Sequence, residues 1–255
     1  MNRKLLKRIL VTSAIAVLGV STSFAALVTE RDQSVDTAPS VGMYRFQVPA
    51  ELQGPYNSTA IANLTTSMEK EPNTLSMNVA HVKGNSSESY VVEIYKDLAA
   101  IETHRKSDQY QAFVNEVGSK LTNRKVYDVQ SVLLFEKKDP LSIVNDGKAV
   151  MTLTEFNVDS NDIDTVQRQY ELDIERAVRD DAGYKAGYVL RERNAKNHWY
   201  VIQIYSDQDA LTKHLNSPGY RFMMSQIQGS LQNVTTKVLD GDILVNRGGQ
   251  AFVRP

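Results

Sequence analysis

His104 and His214 stand 110 residues apart, each three residues before a serine (Ser107, Ser217) and six before a tyrosine (Tyr110, Tyr220). An imidazole titrates near pH ~6.5, so a repeated histidine is the natural candidate for a catalytic general base working near neutrality. A local role competes with that reading, because a histidine so placed can bond within its own helical turn. Upstream of each histidine, polar and aromatic residues fall on alternate positions: Glu93 and Tyr95 in one place, Trp199, Gln203 and Tyr205 in the other. Strand alternation puts these on one face, with Val92, Ile94, Ile202 and Ile204 on the opposite one. Joined by Tyr110 and Tyr220, the mixed face would line a pocket for a small aromatic, phenolic molecule. The bland alternative makes the aromatics core residues whose polar tips reach water. His81, whose counterpart is Arg191, and His198 read as incidental.

Other chemistries lack their residues. No phosphate-cradling glycine loop, His-Glu-x-x-His pair or nucleophile elbow occurs, which leaves nucleotide-dependent, zinc-protease and hydrolase readings without support. Cysteine is absent, which excludes thiol catalysis, thiolate metal sites and a disulfide framework. No metal and no resident cofactor are expected. The amino terminus, "MNRKLLKRIL" and then "VTSAIAVLGVSTSFA", has the basic and short apolar parts of a secretory signal, with cleavage expected after Ala25. A secreted or periplasmic location follows, with no membrane contact after cleavage. Losing Arg3, Lys4, Lys7 and Arg8 lowers Lys and Arg from 29 to 25 against 30 acids, and nothing points to a nucleic-acid partner.

The elements that must position these residues occur twice. At the 110-residue offset, 9 of 21 positions from Tyr90 to Tyr110 are identical, where chance gives about one or two. In each copy an apolar strand ("VGMYRFQV", "MTLTEFNV") leads to an amphipathic helix, the first with Ile61, Leu64 and Met68 at helical spacing. A hairpin follows, across Gly84-Asn85 or Asn194 to Asn197. A second helix then starts at Asp97 or Asp207, the first carrying Tyr110, Phe113, Val117 and Leu121 along one face. A fourth strand, "VYDVQSVLLF" or "TKVLDGDILV", closes the copy. The expected fold class is therefore α+β: two tandem ferredoxin-like βαββαβ repeats packed sheet to sheet as an intrachain α/β barrel. The boundaries read as signal peptide 1–25, linker 26–40, repeat 41–137, polar link 138–149, repeat 150–247 and tail 248–255. Because the paired sheets come from one chain, a monomer with an internal pseudo-dimer is expected.

The stretch "EPNTLSMNVAHV…SYVVEIYKDLAAIETHRKSDQYQAF" resembles the antibiotic biosynthesis monooxygenase (ABM) domain. That family's pattern combines a Glu-Pro-Gly turn, a strand ending in Glu-x-aromatic, an acidic cap and His-x-x-Ser before an aromatic. The resemblance spans about 41 to 137 and 150 to 247, and implies a dimeric α/β barrel fold. It also implies activities that include quinol and polyketide oxygenation without metal or flavin, as well as haem degradation. Asn73 replaces the turn glycine, Gln203 replaces the glutamate, and Tyr95 and Tyr205 occupy the position that is often Trp. Where haem degraders place a ligand histidine in the second helix, this chain has Phe113, Val114, Met223 and Met224. The expectation is an exported, cofactor-independent monooxygenase acting on a quinol or phenolic small molecule. The alternatives are a non-catalytic binding protein for an aromatic or haem-like ligand and a structural interaction module. Trp199 and the longer charged first helix make the second copy the expected ligand-binding half.

Overall fold

The computed structural model describes residues 37–255, so the expected signal peptide lies outside the described residues. The first repeat opens with strand β1 (Ser40–Gln47), followed by helix α1 (Gln53–Lys70). The helix takes in Gly54-Pro55, since proline in a first turn has no helical N–H bond to forfeit. Strands β2 (Thr74–Val82) and β3 (Asn85–Tyr95) form the expected hairpin, turning at Gly84, whose φ of +80° favours glycine. The expected single second helix is two: α2 (Leu98–Lys106) and α3 (Asp108–Glu116). Asp97 caps the first by accepting from Ala100 N at 2.8 Å. Ser107 interrupts the run and caps the second through Tyr110 N. Strands β4 (Thr122–Tyr127) and β5 (Val129–Glu136) follow, then a short β6 (Ser142–Val144) within the stretch that reads as a polar link.

The second repeat runs in the same order: β7 (Val150–Val158), α4 (Ile163–Asp180), β8 (Tyr184–Glu192), β9 (His198–Tyr205), α5 (Gln208–Asn216), α6 (Pro218–Ile227), β10 (Leu231–Asn246) and β11 (Ala251–Val253). Its fourth strand does not simply close its own copy. Residues 231–240 of β10 pair with β7, whereas residues 239–246 pair with β2 of the first repeat. The first repeat reciprocates, with β4 on its own β1 and β5 on β8. The resulting antiparallel path is β11-β5-β8-β9-β7-β10-β2-β3-β1-β4, with β6 also on β10. The path ends at β11 and β4 and is not closed, although only Asp128 separates β4 from β5 in the chain. Gly241 sits where β10 changes partner, and a Cβ there would meet the Leu244 side chain and the Ala149 carbonyl.

Two apolar layers result. Val92, Ile94, Ile202 and Ile204 face inward, as their parity predicts, in one cluster with Met43, Met151, Tyr90 and Tyr200 from both repeats. Each such buried aliphatic side chain contributes roughly 1.5–3 kcal/mol of hydrophobic stabilisation. The opposite faces of the strands pack beneath the helices, where Trp199, Val201 and Tyr205 meet Val166, Tyr170 and Ile174 of α4. Arg247, just beyond β10, donates to the carbonyls of Met68, Glu71 and Thr74 and so covers the carboxyl end of α1 from across the repeats. Among the described residues, no helix is long and apolar enough to cross a membrane.

Candidate functional site

Each repeated histidine lies in a closed nest at the end of a helix pair, with only 1% of its surface exposed. His104 Nδ1 lies 3.1 Å from Glu71 Oε2 and 3.2 Å from Ser67 Oγ, both on the last turn and cap of α1. Its ring sits between Tyr95 and Tyr110, with centroids 5.7 and 4.9 Å away. Ser107 bonds the His104 backbone carbonyl instead of the ring, so the local bond and the ring's bonds coexist. Tyr95 donates to Glu93 at 2.9 Å. Burial pushes the Glu93 carboxyl up, against the pull of His104 and the Tyr95 bond. Burial also acts to raise Glu71, but the bonds from His104 and Thr74 outweigh it and hold that group below the usual carboxylate range.

The second nest keeps the plan with different chemistry. His214 lies 3.3 Å from Asp181 through Nδ1 and 3.4 Å from Asp173 through Nε2, and Arg176 bridges both acids. Tyr184, Tyr205 and Tyr220 surround the ring. Gln203 donates to the Tyr184 hydroxyl at 3.2 Å. Burial pulls the His214 imidazole down, although the two aspartates oppose it. A groove of about 360 Å³ opens beside this nest between Asp181, Tyr184, Asp207 and Lys213. Six of the seven residues expected to line a pocket thus gather around the two histidines in separate nests. Trp199 stands apart, fully buried, its indole N–H donating to the Lys196 carbonyl at 2.8 Å.

A second groove, of about 340 Å³ and open to solvent, lies at the hairpin end of the first repeat beneath the start of α1. On its wall His81 Nδ1 lies 2.8 and 3.0 Å from the two carboxylate oxygens of Asp242. The side chains are 26% and 24% exposed, so solvent reaches a pair that is nonetheless held in place. A carboxylate can only accept, so the nitrogen facing Asp242 is a donor, while Nε2 lies 3.8 Å from Asp240 Oδ2. Tyr56 and Ser89 share a buried hydrogen bond of 3.0 Å in the same cavity. Gln53 donates to Ser86 and Asn145 donates to Asn57 around it. His81 and Asp242 are 161 positions apart and belong to different repeats, which is why no local motif joins them.

A family model described as Antibiotic biosynthesis monooxygenase matches the chain twice, over residues 41–116 and 149–225. The chain belongs to the antibiotic biosynthesis monooxygenase family. Solved structures agree on the fold. A protein from Lactobacillus acidophilus described as a candidate monooxygenase is 19% identical, with a TM-score of 0.75 over 84% of this chain and 99% of its own. One from Fusobacterium nucleatum with the same description is 18% identical, with a TM-score of 0.76 over 86% and 100%. An anthrone oxidase-like protein is 11% identical, with a TM-score of 0.50 over 87% and 98%. No match was found among curated proteins.

Within this ABM chain the two repeats treat the cavity positions differently. At the 110-residue offset, Tyr56, Ser89 and Asp242 correspond to Val166, Trp199 and Val132. Those three belong to one apolar cluster beneath α4, where Phe156 stacks against both Trp199 and Tyr170. The second ABM repeat therefore fills with side chains the place that the first leaves open, with Trp199 packed inside it, while its own groove opens elsewhere, beside His214. The exchanges Ser89 for Trp199 and Asp242 for Val132 are visible in the sequence and were the available signal. Burial pushes the Tyr56 phenol up, which keeps it a donor, and pushes Asp242 up against the pull of His81. Among the described residues, no group of three His, Asp or Glu side chains converges as metal ligands would.

Proposed function

We propose that the chain is a cofactor-independent oxygenase for a quinol or phenolic small molecule, working in the first repeat with His81 as its general base. The observation that carries this is the His81–Asp242 pair on the wall of a groove, with Nδ1 held by Asp242 and Nε2 beside the exposed Asp240. Asp242 positions the ring and stabilises the imidazolium that forms when Nε2 takes a phenolic proton. The phenolate is electron-rich enough to reduce dioxygen itself. In the overall balance a hydroquinone and dioxygen give a hydroxyquinone and water, with all electrons drawn from the substrate and no external reductant. The protein's part is to bind, orient, accept a proton and shield the phenolate from water. The likeness to an anthrone oxidase-like fold supports an aromatic hydroxyl substrate. The basic and apolar amino terminus supports export.

His104 and His214, enclosed by tyrosines, tie the helix pairs to α1 and α4 and do not meet substrate in this reading. Oxygen uptake on a panel of hydroquinones and phenols is the test. Uptake by the intact chain should fall by about 10²-fold in H81Q. Binding without uptake would make the chain a carrier, and neither binding nor uptake would favour the structural module.

A further inference from the structure

The two short outer strands are anchored in the same way by different residues. β6 lies on β10 and β11 lies on β5, each at the end of a repeat's last strand. At the first junction Asn246 N donates to the Leu141 carbonyl, and Asn246 Oδ1 accepts from Leu141 N at 2.9 Å. At the second, Glu136 N donates to the Gln250 carbonyl at 3.0 Å, and the Glu136 carboxyl accepts from the N–H groups of Gln250 and Gly248. Asn246 is the counterpart of Glu136 at the 110-residue offset. A neutral carboxamide therefore suffices to anchor such a strand, and the acid adds only a group that can ionise. Glu136 is 5% exposed, and Tyr188 of β8 donates to its Oε1 at 2.7 Å. From β2 only the Ser76 hydroxyl joins, through Tyr188. The cations next to it in the chain and in the turn are engaged elsewhere: Lys137 interacts with Lys185, Asp180 and Asp181, and Arg247 with the carbonyls of α1. Among the described residues, the carboxyl has neutral donors and no ion pair.

We propose that Glu136 is a proton-operated latch on strand β11: protonated, it holds the strand against β5, and ionised, it lets the strand and the turn before it open to water. A charge enclosed without a cation is costly, and water cannot reach it from the β8 side, where Tyr188 is fully buried. The three-residue β11 is the part of the enclosure that yields most easily. Gly248 and Gly249, with φ of +73° and +74°, give the turn a hinge. Burial lifts the enclosed carboxyl from 4.5 to about 7, and opening returns it towards 4.5. The closed state is thus favoured in full below 4.5 and loses that advantage as pH rises through about 7. The same turn begins at Arg247, which holds the carboxyl end of α1, so its opening slackens the helix whose start lines the groove beside His81.

Amide hydrogen exchange of the full chain, read by mass spectrometry and corrected for the intrinsic effect of pH on exchange, tests the latch. From about pH 5.5 to about 8 the opening of residues 250–254 should rise roughly 30-fold. Residues 141–144, anchored by Asn246, should show no such rise. E136Q keeps an acceptor and loses the charge, so its opening at residues 250–254 should stay level across the range. If that variant does not fold, Y188F takes its place: with one donor to the carboxylate gone, the midpoint of the rise should move to higher pH. The proposal is overturned if opening does not change with pH, if E136Q keeps the rise, if residues 141–144 rise in parallel, or if Y188F leaves the midpoint where it was.

Discussion

At the scale of single residues, similar side chains do different work according to what encloses them. His104 is sealed beneath α1, so His104→Ala leaves Glu71 and Ser67 short of a partner and opens a hole between two tyrosines. A loss of about 2–4 kcal/mol is expected, read as a lower urea midpoint, with oxygen uptake by the folded variant preserved. Glu136 gives a second test. Burial lifts its carboxyl from 4.5 to about 7, although Tyr188 donates to it at 2.7 Å. A carboxyl that holds its proton more tightly folded than unfolded contributes stability fully below the unfolded value of 4.5. That contribution is lost as pH rises through about 7. The swing is on the order of 3 kcal/mol, and Glu136→Gln should flatten it in denaturation curves taken from pH 5 to about 8. Residues this enclosed were only half legible in the sequence. The repetition of His104 and His214 marked them as constrained, but whether a histidine faces substrate or a buried acid depends on the neighbouring helix, which no spacing reveals.

At the scale of elements, the break between α2 and α3, and again between α5 and α6, comes from a serine whose hydroxyl caps the following helix. Ser217→Ala should cost about 1 kcal/mol, and the double variant with Ser107→Ala about twice that, if the caps are independent. The measurement is the shift in urea midpoint at unchanged slope. Strand faces were read correctly because period two leaves no choice: once Val92 and Ile94 point to the core, Glu93 and Tyr95 point to the helices. The helix break was missed because Ser107, just ahead of the apolar spacing of Tyr110 and Phe113, reads equally well as an interior or a cap residue. The exchange of fourth strands was missed for a different reason. "TKVLDGDILV" declares a strand, but nothing in an alternating pattern says which edges it will join. His81 and Asp242 could not be paired without knowing that β10 crosses to β2.

At the scale of the whole molecule, two repeats of one plan share one interior, and each lends its last strand to the other's sheet. Light scattering should therefore give a monomer mass, and chemical denaturation one cooperative transition seen alike by Trp199 fluorescence and by circular dichroism, although Trp199 sits in the second repeat alone. An obligate dimer, or a repeat that melts separately, would contradict that arrangement. The packed aromatic cluster beneath α4 has a wider meaning for how the pair divides its labour. An empty space inside a protein is a standing weakness, and a solitary domain of this size could tolerate little of it. Here one twin is packed tight at the spot where the other is indented, and because the twins grip each other's outermost ribbons, its sturdiness extends to its sibling. The indented twin can thus exchange side chains along that depression with less risk of the molecule coming apart.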